Sequence, residues 1–256
     1  MEIYFSLSHI FCTFAVTKLI MSRRWLHIIC WLLSLAALSY LIYRLIIFDG
    51  YDSLWSVLST AAATQWMAIV VALLLLPAQL IVESRKWQLM LRGLADISLL
   101  ESWQQVLYGY VAAFITPYRL GEYPARLLRM GYSLNDWNGF IGGWRDWLID
   151  WRKWIKVLGL HILRYIVWML QLWAILAFSG ITLTPLQALV AIPAYYIIIT
   201  FAPSLPAAEV ALKGGWAAIV FGAYTDNAPA ILIAVTLVWI INTVLPTLIG
   251  LIYTKK

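Results

Sequence analysis

The sequence predicts an all-α fold: a polytopic helical bundle integral to a membrane, with two proline-broken hairpins. Three observations predict the membrane bundle. Hydrophobic residues make up 63% of the 256 and charged residues 12%, with a mean hydropathy of +0.84. Soluble domains run at about 45–50% apolar and about 25% charged. Apolar runs recur along the chain, several near the roughly 20 residues that a spanning helix needs. Fifteen tryptophans and fourteen tyrosines suit the interfaces, where a ring sits half in hydrocarbon and half in water. The expectation is a single membrane domain over 1–256, with no second, soluble domain.

Residues 1–20 carry an apolar run with Glu2 where a basic start would stand and no clear small-residue cleavage site, so they make a poor signal peptide. Met21 precedes Arg23, Arg24 and a long apolar run. Translation is therefore expected to start at Met21, with 1–20 a start-site artefact or a weak extra helix. The first span is 25–47, with Arg44 near its far end, where it can snorkel. A polar loop follows at 49–53 and an interfacial stretch at 54–63. The second span is 65–82, with Pro77 inside it, which packing between spans tolerates. Residues 83–92, ESRKWQLMLR, bring Arg85, Lys86 and Arg92 and read as a basic cytoplasmic loop. Two spans separate them from Arg23 and Arg24, so the parity agrees.

The apolar stretch 103–118 is short for a span and stops at Thr116-Pro117. Arg119, Arg126, Arg129, Arg145, Arg152, Lys153 and Lys156 follow it. A full crossing would put these seven charges outside, against the positive-inside tendency. A re-entrant hairpin that returns through 119–131 avoids this. Next, 136–157 places Trp137, Trp144, Trp147, Trp151 and Trp154 at spacings of 7, 3, 4 and 3, one face of a helix. Charges hold the other faces. Such a helix lies flat in the interface or packs its stripe on other helices. A span at 158–178, a hairpin over 185–224 and a last span at 228–251 complete the order, and Lys255 and Lys256 are expected in the cytoplasm.

The two breaks match. Pro117 precedes Glu122, with Arg126 four residues on; Pro203 and Pro206 precede Glu209, with Lys213 four residues on. That spacing puts acid and base on one helix face, and pairing lowers the penalty of charge inside a bilayer. Two broken helices, one opening inward and one outward, form the pattern of an inverted repeat with its site near the midplane. The expected binding residues are Thr116, Pro117, Arg119, Gly121, Glu122 and Arg126 from the first break, and Pro203, Pro206, Glu209 and Lys213 from the second. Arg119 can hold a phosphate by a bidentate contact, and helix N-termini after the breaks offer N–H groups to an anion. The bland alternative is that these charges only satisfy each other and pin the hairpin tips. No phosphate loop, dinucleotide fingerprint or zinc-protease helix occurs. His9, His27, His161, Cys12 and Cys30 are scattered. No metal, cofactor or catalytic residue is expected, and the net charge of +6 points to anionic lipid, not nucleic acid.

The run ESRKWQLMLRGLADISLLESWQQVLYGYVAAFITPYRLGEYPARLL resembles the membrane region of lysylphosphatidylglycerol synthases and their stand-alone flippase-like relatives. The matching positions are Lys86-Trp87 and Thr116, Pro117, Arg119, Gly121 and Glu122. PSLPAAEVALKGG matches through Pro203, Pro206, Glu209 and Lys213, and WIINTVLPTLIG through Trp239, Asn242, Pro246 and Gly250. Tyr118 stands where the family has glycine, Ala207-Ala208 stand where glycines are often found, and the chain is short by about a hairpin. The resemblance implies a lipid flippase-like protein of a bacterial or archaeal cytoplasmic membrane. It would bind or translocate an anionic or aminoacylated phospholipid or a polyprenyl lipid, without the aminoacyl-transferase domain of the fused relatives. Membrane lipids are then the partners, beside a membrane protein or a second copy. Both termini would be cytoplasmic if translation starts at Met21. Two alternatives stay open: a non-transporting scaffold or subunit, and a membrane enzyme on lipid-linked substrates with Glu122 and Glu209 as its acid/base pair.

Overall fold

The structure, a computed structural model, describes residues 35–49, 64–91, 95–116, 119–130, 151–201 and 208–254, with the isolated positions 28, 32, 59 and 60. The expectations for 1–20 and 136–150, and for Pro117, Tyr118, Pro203 and Pro206, lie outside these residues. Among the described residues every regular element is a helix. The fold is the all-α bundle that composition predicts.

Helix α1 is Leu35–Ile46 and α2 is Trp66–Leu91. At 26 residues and about 1.5 Å per residue, α2 exceeds the hydrocarbon thickness of about 30 Å. Pro77 lies inside it. The expected basic loop at 83–92 is corrected here: the helix runs on to Leu91. Continuation is possible because Glu83 and Lys86 turn inward and pair, while Arg85 stays exposed. Glu83 and Lys86 are buried and 2.6 Å apart, and Trp87 is buried beside them.

Helix α3, Leu99–Ile115, starts at a capping box in which Ser98 Oγ accepts from the Glu101 N–H and Glu101 Oε2 accepts from the Ser98 N–H. It ends at Thr116, whose φ of −97° and ψ of 136° are extended, the conformation that a following proline imposes. Helix α4, Glu122–Leu128, packs back on α3. Gly109 permits this, because a Cβ there would lie 2.8 Å from Arg126 Nε and 3.0 Å from the Glu122 carbonyl oxygen.

Helix α5 is Trp151–Phe178. Residues 151–157, expected to end a separate interfacial helix, instead belong to the same helix as the span, and Trp151 and Trp154 are exposed on it. Nothing in 151–158 breaks a helix, since the first glycine is Gly159. The helix closes with Gly180 at φ 84°. The Ile181 N–H donates to Leu176 O at 2.8 Å and the Gly180 N–H to Ala177 O at 3.0 Å, a paired C-cap that uses glycine's freedom at positive φ. Then follow α6, Pro185–Phe201, α7, Glu209–Phe221, α8, Ala228–Trp239, a π-helical turn at Ile240–Val244, and α9, Leu245–Thr254.

Helix α2 lies along α5 and α3, α9 along α3, and α8 along α5 and α7, while α6 packs on α7. The backbone of α1 rests on α7 at Gly215, where a Cβ would come within 2.7 Å of the Ala37 carbonyl. Arg44 ties α1 to the 222–227 turn through Thr225 O and Asp226, each at 3.2 Å. Outward faces carry exposed Leu74, Leu158, Ile162, Leu189 and Val190, the surface that hydrocarbon covers. Trp66–Leu91, Trp151–Phe178 and Ala228–Tyr253 are long and apolar enough to cross a membrane. The protein is a helical membrane protein.

Candidate functional site

A charged knot forms where α2, α4 and α5 meet. Glu83 is its hub. Its carboxylate accepts from Lys86 at 2.6 Å, from both terminal nitrogens of Arg126 at 3.1 Å, and from Arg164. Arg126 is 0% exposed. It also binds Glu122 at 2.5 Å and lies against the rings of both Trp87 and Tyr123, each about 5.3 Å from its Cζ. Burying so many charges is tolerable only when each is paired.

The turn after the first break aims Arg119. Thr116 Oγ1 donates to Ala112 O at 2.8 Å and accepts the Gly121 N–H at 2.9 Å. A Cβ on Gly121 would sit 2.9 Å from that hydroxyl, so the tight turn requires glycine. Arg119 has a φ of 56°, a left-handed conformation unfavourable for a long L-residue. Its Nε bonds Glu122 Oε2 at 3.2 Å and its Cζ stands 5.2 Å from the Tyr110 ring centre. The expected anion seat on helix N–H groups does not form at Gly121, because Thr116 takes that N–H.

The second break presents Glu209 and Lys213 from α7. They pair at 2.6 Å, and Glu209 also accepts the indole N–H of Trp239 at 2.8 Å. The π-helical turn brings in Asn242, whose amide donates to Gln171 on α5 at 2.6 Å; Gln171 in turn donates to Ala72 O on α2 at 2.9 Å. A turn of π-helix within an α-helix is a common mark of a functional position.

A cavity of about 490 Å³ joins these parts. Arg119 comes to its wall from the first break, Glu209 and Lys213 from the second, and Arg164 from α5. The rest of the wall mixes aromatic and aliphatic side chains, with Tyr165, Trp168, Tyr195 and Tyr196 beside Ile197, Val235 and Val238. Trp168 stacks on Tyr196 with centroids 5.8 Å apart. Among the described residues, Arg164 Nε, Trp168 Nε1 and Asn242 Oδ1 are buried with no hydrogen-bond partner. The cavity wall thus combines cations with aromatic rings, Arg164 lying 4.5 Å from the Trp168 ring centre and Arg119 5.2 Å from that of Tyr110.

The structure brings Arg119, Glu209 and Lys213 together around this space, Glu122 reaches it only through its ion pair with Arg119, and both expected acid–base pairs form. It places Arg126 behind the wall, buried against Glu83 and Glu122. Thr116 and Gly121 shape the turn that carries Arg119. Sequence reasoning missed Glu83 and Arg164. Arg164 had a signal, because a lone arginine in HILRYIVWML is an intramembrane charge and hence a site candidate by default. Among the described residues no group of three or more His, Cys, Asp or Glu side chains is placed to hold a metal ion. Comparisons of the chain with protein-family models, curated proteins and solved structures return no match.

Proposed function

We propose that the protein binds a membrane lipid by its anionic headgroup and carries it between leaflets, as a flippase-like protein of the cytoplasmic membrane. One observation carries this reading: Arg119, Arg164 and Lys213 border the same cavity as Tyr165, Trp168 and Tyr196. Guanidinium forks bind phosphate oxygens in pairs, and the aromatic walls accept the first segments of an acyl or prenyl chain. The motif likeness to the lysylphosphatidylglycerol synthase membrane region supports the same lipid class. Lys86 is held inside by Glu83, so the cytoplasmic orientation rests on Arg85, Arg92, Arg129, Arg152, Lys153 and Lys156.

A scaffold or subunit role is the second reading. The observation that favours it is that each of Glu83, Glu122 and Glu209 already holds a cation. The same pairing weighs against an enzyme that would need Glu122 or Glu209 as a free base.

The test is a reconstituted liposome assay with headgroup-labelled phosphatidylglycerol and an outer-leaflet quencher. Wild type is expected to expose inner-leaflet label, and Arg119→Asn to lose that exposure. Asparagine tolerates the left-handed conformation, so the variant keeps the turn while removing the guanidinium. Equal exposure by both proteins would overturn the proposal.

A further inference from the structure

The charges of the site do not balance, and the excess sits on the cavity wall. Among the described residues, the knot and the second break hold three carboxylates, Glu83, Glu122 and Glu209, against five cations, Lys86, Arg119, Arg126, Arg164 and Lys213. Lys86 and Arg126 are nearly or fully buried on Glu83 and Glu122, and Lys213 is matched by Glu209. Arg119 and Arg164 only share carboxylates that other cations already neutralise. The surplus of two positive charges is therefore these two guanidiniums.

They are poised alike. Both line the cavity and both address Tyr110. Arg119 stacks over its ring at 5.2 Å, and Arg164 Nη2 stands 3.4 Å from its hydroxyl. Arg164 is steadied from the other side by Trp168, whose ring centre is 4.5 Å from its Cζ. Each keeps donors in reserve. Among the described residues the terminal nitrogens of Arg119 make no hydrogen bond, its one bond coming from Nε. Arg164 Nε and Trp168 Nε1 are buried without partners. Two cations with spare donors, carried by different elements to the same cavity, suit a group with two charges and three acceptor oxygens.

From this balance we infer that the headgroup the site selects is a phosphate monoester, a terminal phosphate, in preference to a phosphodiester. The inference rests on the proposed anionic-lipid site and names its substrate class. A monoester carries about −1.5 to −2 near neutral pH with three acceptor oxygens. A diester carries one charge and leaves one guanidinium unmatched. The same chemistry is offered by a lipid phosphate and by free phosphate.

Calorimetric titration of the full chain in neutral detergent distinguishes these cases. The probes are short-chain phosphatidic acid, phosphatidylmethanol, phosphatidylcholine and inorganic phosphate. Phosphatidylmethanol differs from phosphatidic acid by one methyl cap that removes the second charge. Phosphatidic acid is expected to bind tighter by about tenfold or more, the scale of one further charge-assisted hydrogen bond. Arg164→Gln and Arg119→Asn are each expected to reduce it to the phosphatidylmethanol level. The wild-type comparison stands even if a variant fails to fold. Equal affinity for the two lipids overturns the monoester inference and leaves the anionic-lipid reading in place. No binding beyond phosphatidylcholine overturns both. Inorganic phosphate binding as tightly as phosphatidic acid supports dianion recognition and overturns the lipid.

Discussion

Neutralising the hub of the charged knot gives the sharpest test of how this bundle is held. Glu83→Gln keeps the shape of the side chain and removes its charge. Lys86, Arg126 and Arg164 all lean on that carboxylate, and Glu83 and Arg126 are essentially inaccessible. Each contact at about 4 Å or less is worth roughly 4 kcal/mol gross at an effective dielectric near 20. Desolvation of the charges offsets most of this. The quantity that survives is the penalty for leaving buried cations unpaired, about 3–5 kcal/mol. In a chain of this size about 1 kcal/mol shifts Tm by roughly 2–4 °C, so the expected drop is on the order of 10 °C. The assay is thermal unfolding in detergent followed by tryptophan fluorescence. Adding Lys86→Met to Glu83→Gln removes one of the stranded cations and is expected to restore part of the loss. A Glu83→Gln protein within about 2 °C of wild type, a shift of about 1 kcal/mol at most, would refute the reasoning.

Gly109→Val is expected to push α4 off α3. Its new atoms meet Arg126 Cγ at 2.9 Å and Glu122 O at 3.0 Å, and Arg126 cannot swing aside because Glu83 and Glu122 pin it. Overpacking of this kind costs about 1–3 kcal/mol, readable as a lower unfolding temperature. Thr116→Val leaves the Gly121 N–H without its acceptor. It is expected to lose about 1 kcal/mol of stability and to weaken lipid binding, because the turn that aims Arg119 loosens; unchanged binding would separate Arg119 from that turn.

Much of this arrangement was legible along the chain, and the missing parts share a cause. Glu122 with Arg126, and Glu209 with Lys213, declare themselves by a proline break and a four-residue spacing, both local signals. The helical bundle follows from composition alone. Glu83 did not declare itself, because ESRKW looks like a charged loop at the end of an apolar run. Only the packing of α2 against α4 and α5 shows that Glu83 and Lys86 turn inward. Spacing put Arg126 on the same face as Glu122 but could not say that the face points into protein, away from the cavity. The aromatic part of the cavity wall was illegible for the same reason. Trp168 and Tyr196 come from different helices and stack on each other, while in the sequence each reads as one more belt aromatic.

The most direct measurement of the central claim is photo-labelling with an anionic phospholipid that carries a photoreactive group near its headgroup, followed by peptide mapping. The account predicts adducts on the cavity wall, at Tyr165, Tyr196 or Val238, that disappear in Arg119→Asn. Adducts confined to outward faces such as Leu74 and Leu189, or cavity adducts of equal yield in that variant, would contradict it.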